Sequence, residues 1–198
     1  MAKIFKATTA GSLPKPNWLA EPVTLWPAWK DSGDALTKKK KESAAMWIDE
    51  QEQSGLDIIS EGEQFRIHFV HGFLENIEGI NWDKKTSMGI RNDRYVVEVP
   101  TVTEALKKSE SIHAEEAIFL RSKTEKMTKF TLPGPMTISD TIANEFYGDK
   151  EEMAMEFAKL LNDEAKTLCD AGIDVIQFDE PAFNSFLTLS TVICCRTL

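Results

Sequence analysis

Apolar side chains recur at helical spacing in the segment that begins at Lys150. Its apolar positions are Met153, Phe157, Leu160, Leu161, Ala165 and Leu168. This pattern predicts an amphipathic helix with one face against a core. Gly172 follows, as expected of the left-handed residue that commonly ends a helix. The next apolar positions predict a short buried strand and are Ile173, Val175, Ile176 and Phe178.

The end of this strand carries two acidic residues, Asp179 and Glu180. An earlier stretch repeats the order of helix, glycine, apolar strand and acid, with a predicted helix over Asp34–Ser54, then Gly55 and Glu63. Two such units imply parallel strands joined by helices. They also place acids at the carboxyl ends of the strands, where α/β proteins carry their chemistry.

The rest of the chain continues the alternation of strands and helices. Further strands are predicted over Lys3–Thr9, Arg91–Pro100 and Lys129–Pro135. Further helices are predicted over Phe65–Glu75, Glu110–Thr124 and Ile138–Phe146, with a polar connection over Gly79–Met88. The alternation up to a fifth strand predicts an α/β fold with a parallel sheet.

Composition narrows the class of protein and of partner. The chain has 198 residues, 42% of them hydrophobic, so it can bury a substantial core. Its formal charge of −9 argues against nucleic acid or an anionic membrane as a partner. No apolar run is long enough to cross a bilayer, and Cys169, Cys194 and Cys195 lack the spacing of a disulfide framework. A soluble cytoplasmic protein is expected.

Polar groups at the predicted strand ends are the candidates for chemistry. Asp179 and Glu180 follow a buried strand, where they could hold an amino group or polarise a substrate. Alternatively, one of them could cap the next helix. Gly11 and Ser12 could offer N–H groups and a hydroxyl to a ligand, although an ordinary turn is the better explanation of this motif taken alone.

Two histidines, His68 and His71, lie three residues apart in a predicted helix. This spacing can put both on one face, which would suit a metal pair. No acid or cysteine nearby completes such a set, so we expect core or solvent-facing histidines.

Several segments, taken in order, resemble the cobalamin-independent methionine synthase family, and in particular its short single-barrel members. The resemblance extends from about Thr8 to Asn184. The segments that carry it are Gly11-Ser-Leu-Pro14, Gly62-Glu63, Arg94-Tyr-Val96, Leu132-Pro-Gly-Pro-Met-Thr-Ile138 and Ile176-Gln-Phe-Asp-Glu-Pro-Ala182.

The resemblance implies a fold and an activity. The fold is a TIM-type (β/α)8 barrel, of which this chain would hold about the first five βα units. The activity is transfer of a methyl group from 5-methyl-tetrahydrofolate, as a polyglutamate, to the thiol of homocysteine. By position, Ser12 matches a residue that holds the amino acid part of homocysteine, and Glu63 and Asp179 match acids that face its amino group. Arg94 matches an arginine expected near the carboxylates of substrate or folate.

The resemblance also implies zinc, bound by His, Cys, Glu and Cys from later strands of the barrel. We find no such ligands in this chain and predict no metal-binding residues. Glu61 stands where the family has a histidine, and Thr141 where it often has a tryptophan. Residues 1–184 are therefore expected to form the first part of a barrel. Residues 185–198 lack the acids expected there and are interpreted as an atypical, possibly frameshifted tail.

An open five-strand sheet leaves an unpaired edge, which predicts self-association. Three other functions stay open. The chain could be a non-catalytic fragment that binds amino acids, or a related thiol alkyltransferase. It could also be a barrel enzyme that uses Glu63 with Asp179 or Glu180 as an acid/base pair, as glycosidases do.

Overall fold

The helices and strands of the computed structural model are defined for residues 5–21 and 28–185. In chain order they are β1 (Ala20–Glu21), β2 (Ala28–Trp29), α1 (Gly33–Gln53), β3 (Ile58–Ile59), α2 (His71–Leu74), β4 (Glu78–Ile90), β5 (Tyr95–Lys107), α3 (Ala114–Lys123), β6 (Met127–Pro133), α4 (Pro135–Ser139), β7 (Ala143–Asn144), α5 (Lys150–Asp170), β8 (Val175–Asp179) and a 3-10 turn (Pro181–Ser185).

The chain divides into two units. The first consists of Met1–Glu75, Glu110–Leu132 and Asp163–Gln177. The second consists of Asn76–Ser109, Pro133–Asn162 and Phe178–Leu198. Ser12 and Glu63 thus belong to the first unit, while Asp179 and Arg94 belong to the second.

The first unit is built on a three-stranded sheet with the order β3-β6-β8, whose last residues pass into the second unit. β3 pairs in parallel with β6, with Ile58 opposite Met127. The core of this unit consists of fully buried apolar side chains, among them Ile48, Ile59 and Phe130. The parallel pairing is the one that the repeated helix–glycine–strand order predicted.

The second unit contains a long antiparallel hairpin. β4 pairs with β5 from Ile90 opposite Tyr95, and β7 adds to β5 in parallel. Two sequence predictions are therefore wrong. Gly79–Met88 is a strand rather than a polar connection, and Arg91–Pro100 supplies an antiparallel hairpin strand rather than one joined by a helix. Mostly half-exposed side chains along β4 explain why its alternation is weak.

Three other predicted elements are shorter than expected or absent. The predicted helix Phe65–Glu75 is reduced to α2, because residues 62–65 form a turn. The helix predicted over Ile138–Phe146 begins earlier, as α4, and its second half contains β7. Residues 5–9 form no strand, and residues 1–4 lie outside the described part of the chain. The Ala7 carbonyl nevertheless accepts the N–H groups of Asp57 and Ile58.

The predicted amphipathic helix is α5, whose residues from Asp163 onward are assigned to the first unit. Met153, Phe157, Leu161 and Leu168 are buried as expected. Glu164 is also fully buried, because its carboxylate accepts the N–H groups that precede α3. Over the described residues, no helix is both long and apolar enough to cross a membrane.

Candidate functional site

The loop that carries Ser12 is fixed by hydrogen bonds from polar side chains of the first unit. Lys129 is 2% exposed, and its ammonium donates to the carbonyl of Thr9. Gln177 Nε2 donates to the carbonyl of Ala10 at 2.8 Å, and its Oε1 accepts from Lys129 at 2.7 Å. These side chains come from β6 and β8, so the sheet fixes the start of the Ser12 loop.

The loop that carries Glu63 is pinned to the Ser12 loop. Leu13 N–H donates to the carbonyl of Gly62 at 3.1 Å. Gln64, which is fully buried, donates from its amide to the carbonyls of Leu13 and Gly62, each at 2.8 Å. The hydroxyl of Ser43 in α1 donates to Gln64 Oε1 at 2.8 Å. Two loops far apart in sequence therefore form one rigid edge.

Glu63 has an unusual backbone conformation. Its φ is 58°, in the left-handed region, directly after Gly62 at 68°. Residues other than glycine rarely adopt this backbone conformation, and those that do concentrate at functional sites. The hydrogen bonds of Gln64 hold this turn, which leaves the Glu63 side chain 7% exposed.

Ser12 and Glu63 line the same cavity of about 340 Å³. Its other lining residues are Leu13, Pro14, Lys15, Ala20, Glu21, Ile67, His68 and Phe69. The structure thus brings together two of the residues that the sequence singled out, and both belong to the first unit. It also adds Lys15 and His68, which we had not placed at the site. For Lys15, its position in the same loop as Ser12 is the signal that could have been used.

Lys15 is a largely desolvated cation in this cavity. Its Nζ donates to the backbone carbonyl of Glu63 at 3.3 Å. Burial lowers the pKa of Lys15 to about 8, although the Glu63 charge acts in the opposite direction. The side chain remains mostly protonated at neutral pH.

In contrast to the protonated Lys15, the imidazole ring of His68 is neutral at pH 7. Burial lowers the pKa of His68 to about 4, with further lowering from His71 and Lys15. Its Nδ1 accepts the N–H of Val70 at 3.3 Å, and its ring centroid lies 5.4 Å from that of His71. A neutral imidazole at the wall of the cavity offers hydrogen bonds without adding a second positive charge beside Lys15.

A buried ionic cluster lies next to the Glu63 loop in the first unit. Arg66 pairs with Glu61 and lies 4.0 Å from Glu116, and its NH1 donates to the Thr131 carbonyl at 2.8 Å. Burial lowers the pKa of Arg66, but Glu61 and Glu116 raise it by more, so it lies above its ordinary value. Glu61, which differs from the histidine that the resemblance implies, is here the partner of Arg66.

Glu116 completes this cluster with His113. His113 Nδ1 lies 3.2 Å from a Glu116 oxygen. Burial raises the pKa of Glu116, but His113 and Arg66 lower it by more, so the carboxyl stays ionised below its ordinary range. None of the four side chains of this cluster is among the residues that line the cavity, although Glu61 and Arg66 flank Glu63 in sequence.

In the second unit, the two acids at the end of β8 have different surroundings. The Glu180 carboxylate accepts the N–H groups of Met136 at 2.9 Å and Thr137 at 2.7 Å. It therefore caps the first turn of α4, which precedes β8, whereas the alternative from the sequence was a cap on the helix that follows the two acids. The Gly134 N–H donates to the Asp179 carbonyl at 2.9 Å, which ties the β8 end to the same turn.

Arg94 lies in the turn of the β4–β5 hairpin, in the second unit. Its guanidinium lies 5.5 Å from the ring of Tyr95, and both residues are exposed. The preceding Arg91, Asn92 and Asp93 all have φ between 54° and 58°. The residue is thus presented by a tight turn rather than by the start of a parallel strand.

A zinc set was tested against the side chains of residues 5–21 and 28–185. This part of the chain contains no group of three or more His, Cys, Asp or Glu that fits a metal ion. Cys194 and Cys195, and the rest of the predicted tail after Ser185, lie outside the described residues.

Comparison with known proteins gives consistent matches. Residues 5–193 match the family described as "Cobalamin-independent synthase, Catalytic domain". A methionine synthase of Sulfolobus acidocaldarius is 32% identical over 183 residues, which cover 92% of this chain and 53% of that protein. One from Pyrococcus abyssi is 31% identical and covers 90% of this chain and 52% of its own length. The chain thus spans about half the length of the curated relatives it matches.

A solved structure matches this chain as well. It is a B12-independent methionine synthase from Shewanella sp. W3-18-1 in complex with selenomethionine. The identity is 49% and the TM-score 0.84, over 90% of this chain and 52% of the other. The predicted fold class, an α/β part of a TIM-type barrel, is confirmed by this match. The chain therefore belongs to the cobalamin-independent methionine synthase family, in the part that corresponds to its catalytic domain.

Proposed function

We propose that this chain is part of a cytoplasmic methyltransferase of the methionine synthase type. The reaction is transfer of a methyl group from 5-methyl-tetrahydrofolate polyglutamate to the thiol of homocysteine, which gives methionine. The observation that carries the proposal is the shared cavity of Ser12 and Glu63. These residues are distant in sequence, and each matches a position that binds homocysteine in the family.

The chemistry of the cavity suits the polar end of an amino acid. A carboxylate that is 7% exposed, as in Glu63, attracts an ammonium more strongly than one in bulk water. The Ser12 hydroxyl offers a donor at the exposed rim. We further propose Asp179 as a second acid for the amino group, and Arg94 as a residue for the carboxylates of substrate or folate. These two assignments are supported by the resemblance alone.

The thiol end of homocysteine requires activation in this family, and zinc supplies it there by lowering the thiol pKa. The side chains described here do not fit such a zinc ion. The proposal for this chain is accordingly limited to binding and orientation of the amino acid, and the methyl donor is the family's folate.

Replacement of Glu63 by Gln is expected to weaken methionine binding about 10- to 100-fold. The loss of a charge-assisted hydrogen bond to a buried carboxylate costs about 1.5–3 kcal/mol. Ser12→Ala is expected to have a smaller effect in the same direction. Isothermal titration of L-methionine into the purified chain measures both. The matched control is Glu42→Gln, which alters an exposed acid at 3.9 Å from Lys38.

The same preparation separates the catalytic function from a pure binding role. The chain is incubated with homocysteine and methyl-tetrahydrofolate, with and without zinc, and methionine is quantified. Binding without product in either condition would support the amino-acid-binding alternative. Failure of the unaltered chain to bind methionine would overturn the proposed function.

We also propose that the chain self-associates through exposed apolar surface. Among the described residues β8 is the last strand in the order β3-β6-β8, and its Phe178 is exposed to 47%. Exposed apolar surface next to a strand edge favours association with another copy. We expect a dimer or larger species in sedimentation velocity at micromolar concentration, and a single monomeric species would contradict this.

A further inference from the structure

The cavity of the first unit contains a cation for which the proposed function gives no role. Glu63 and Ser12 account for the amino group and for one donor at the rim. An α-amino acid also brings a carboxylate, and its transfer from water into a partly closed cavity is costly unless a cation receives it. Lys15 is the lysine among the residues that line this cavity.

Among residues 5–21 and 28–185, Lys15 Nζ makes one hydrogen bond and lies 5.7 Å from the centre of the Trp29 ring. An ammonium has three donors, and Lys15 Nζ directs one of them to the Glu63 carbonyl at 3.3 Å. Its neighbours in the loop are fixed, because Gln64 donates to the Leu13 carbonyl and Trp47 Nε1 donates to the Pro14 carbonyl at 2.9 Å. The remaining donors of Lys15 can therefore serve a ligand at little cost in side-chain entropy.

The electrostatics of the position favour an anionic ligand. Burial lowers the pKa of Lys15 to about 8, which reports that the ammonium has lost much of its hydration. A carboxylate placed beside it restores a favourable interaction and raises that pKa again. Glu63 provides the opposite charge in the same cavity, so the two ends of a zwitterion meet complementary groups.

We propose that Lys15 binds the α-carboxylate of the amino-acid ligand while Glu63 binds its ammonium, so that the cavity selects zwitterionic α-amino acids. This inference rests on the proposed function, since it assigns the second polar end of the same ligand. The competing explanation is that Lys15 only neutralises Glu63. The two explanations differ in which ligand group, the carboxylate or the ammonium, loses affinity when Lys15 is replaced.

Three ligands with the same thioether tail separate the two halves. They are L-methionine, 3-(methylthio)propylamine, which lacks the carboxylate, and 4-(methylthio)butanoate, which lacks the amino group. We expect Lys15→Met to weaken methionine and the butanoate by about 10- to 30-fold in isothermal titration. The propylamine should bind unchanged or more tightly, because a repulsive cation is removed. Glu63→Gln should show the reverse pattern.

Lys38→Met is the matched control. Lys38 belongs to the same unit, and its side chain is 79% exposed. This variant removes the same charge from the chain and should leave all three affinities unchanged. If it weakens the butanoate as much as Lys15→Met does, a general charge effect replaces the proposed contact and overturns the inference.

The pH dependence of butanoate binding gives a second test. This ligand keeps its charge at every pH above about 6, so a change in affinity reports the protein. With a pKa of about 8, the charged fraction of Lys15 falls from about nine-tenths at pH 7 to about one-tenth at pH 9. The unaltered chain should bind about tenfold more weakly at pH 9, and Lys15→Arg should remove this dependence because arginine stays charged.

Failure of the inference is distinguishable from failure of the function. If the unaltered chain binds no methionine, the proposed function itself is overturned. If it binds methionine and Lys15→Met weakens methionine and the propylamine equally, Lys15 acts only on Glu63 and the inference is overturned. Selective weakening of the two carboxylate ligands supports the inference.

Discussion

Replacement of Arg66 by Met is expected to lower the free energy of unfolding by about 3–5 kcal/mol. The guanidinium is the cation of a buried cluster with Glu61, which is fully buried, and Glu116. Its removal leaves Glu61 without its cation and Glu116 with His113 as its partner, and desolvated charge without a partner is among the most destabilising changes in a protein. The cation also lies 4.7 Å from the ring of Phe130, so the packing is lost as well.

Urea unfolding followed by circular dichroism measures this effect. Lys38→Met, which removes an exposed cation 3.9 Å from Glu42, should stay within about 0.5 kcal/mol of the unaltered chain. The double variant Glu61→Gln/Arg66→Met should recover at least about 1 kcal/mol relative to the sum of the single variants. An Arg66→Met chain that is as stable as the Lys38→Met control would show that the cluster carries no net stabilisation.

The elements that the sequence predicted well are those with strong local signals. The Lys150 helix has an apolar face that recurs at helical spacing, and α1 was placed within one residue at either end. Gly55 and Gly172 have φ of 77° and 94°, so the left-handed end of each helix was encoded by a glycine. Both signals, the spacing of apolar residues along a helix and a glycine at its left-handed end, can be read from the sequence without knowledge of the tertiary contacts.

The hairpin of the second unit could not be predicted in the same way. Most side chains of β4 are half-exposed or exposed, so no apolar alternation marks the strand. The pairing of Ile90 with Tyr95 begins at a turn of Arg91, Asn92 and Asp93 with positive φ. None of these is a glycine, so the usual sequence signal of a tight turn was missing.

The site was predicted in part, and the missed residues share one property. Ser12 and Glu63 follow predicted strands, and strand ends are where chemistry concentrates. Arg66 and Lys129 are charged side chains that tertiary packing buries, and Lys15 is half-buried, while sequence alone predicts such side chains at the surface. The sequence analysis predicted α1 as a helix only, so the buried polar contacts that its Ser43 and Gln51 make with the site loops were not predicted.

The turn at Gly134 is the second position at which one substitution should have a large effect. A Cβ built on Gly134 would lie 2.0 Å from Cδ of Glu180, which is too close for any side chain. The backbone there is extended, with φ −86° and ψ 155°, so alanine itself fits the conformation. The expected cost is therefore steric. Glu180 must move away from the N–H groups of Met136 and Thr137 that it caps.

Gly134→Ala is accordingly expected to lower the free energy of unfolding by about 2–3 kcal/mol, through loss of a charged cap and displacement of the β8 end. Gly11→Ala is the control, because a Cβ at Gly11 meets no atom within 4 Å. Glu180→Ala alone should cost about 1–2 kcal/mol. If the clash is the cause, Gly134→Ala/Glu180→Ala should be no less stable than Glu180→Ala, since alanine at an extended position otherwise stabilises slightly. Additive losses in urea unfolding would instead mean that Gly134 is required for a reason other than its contact with Glu180.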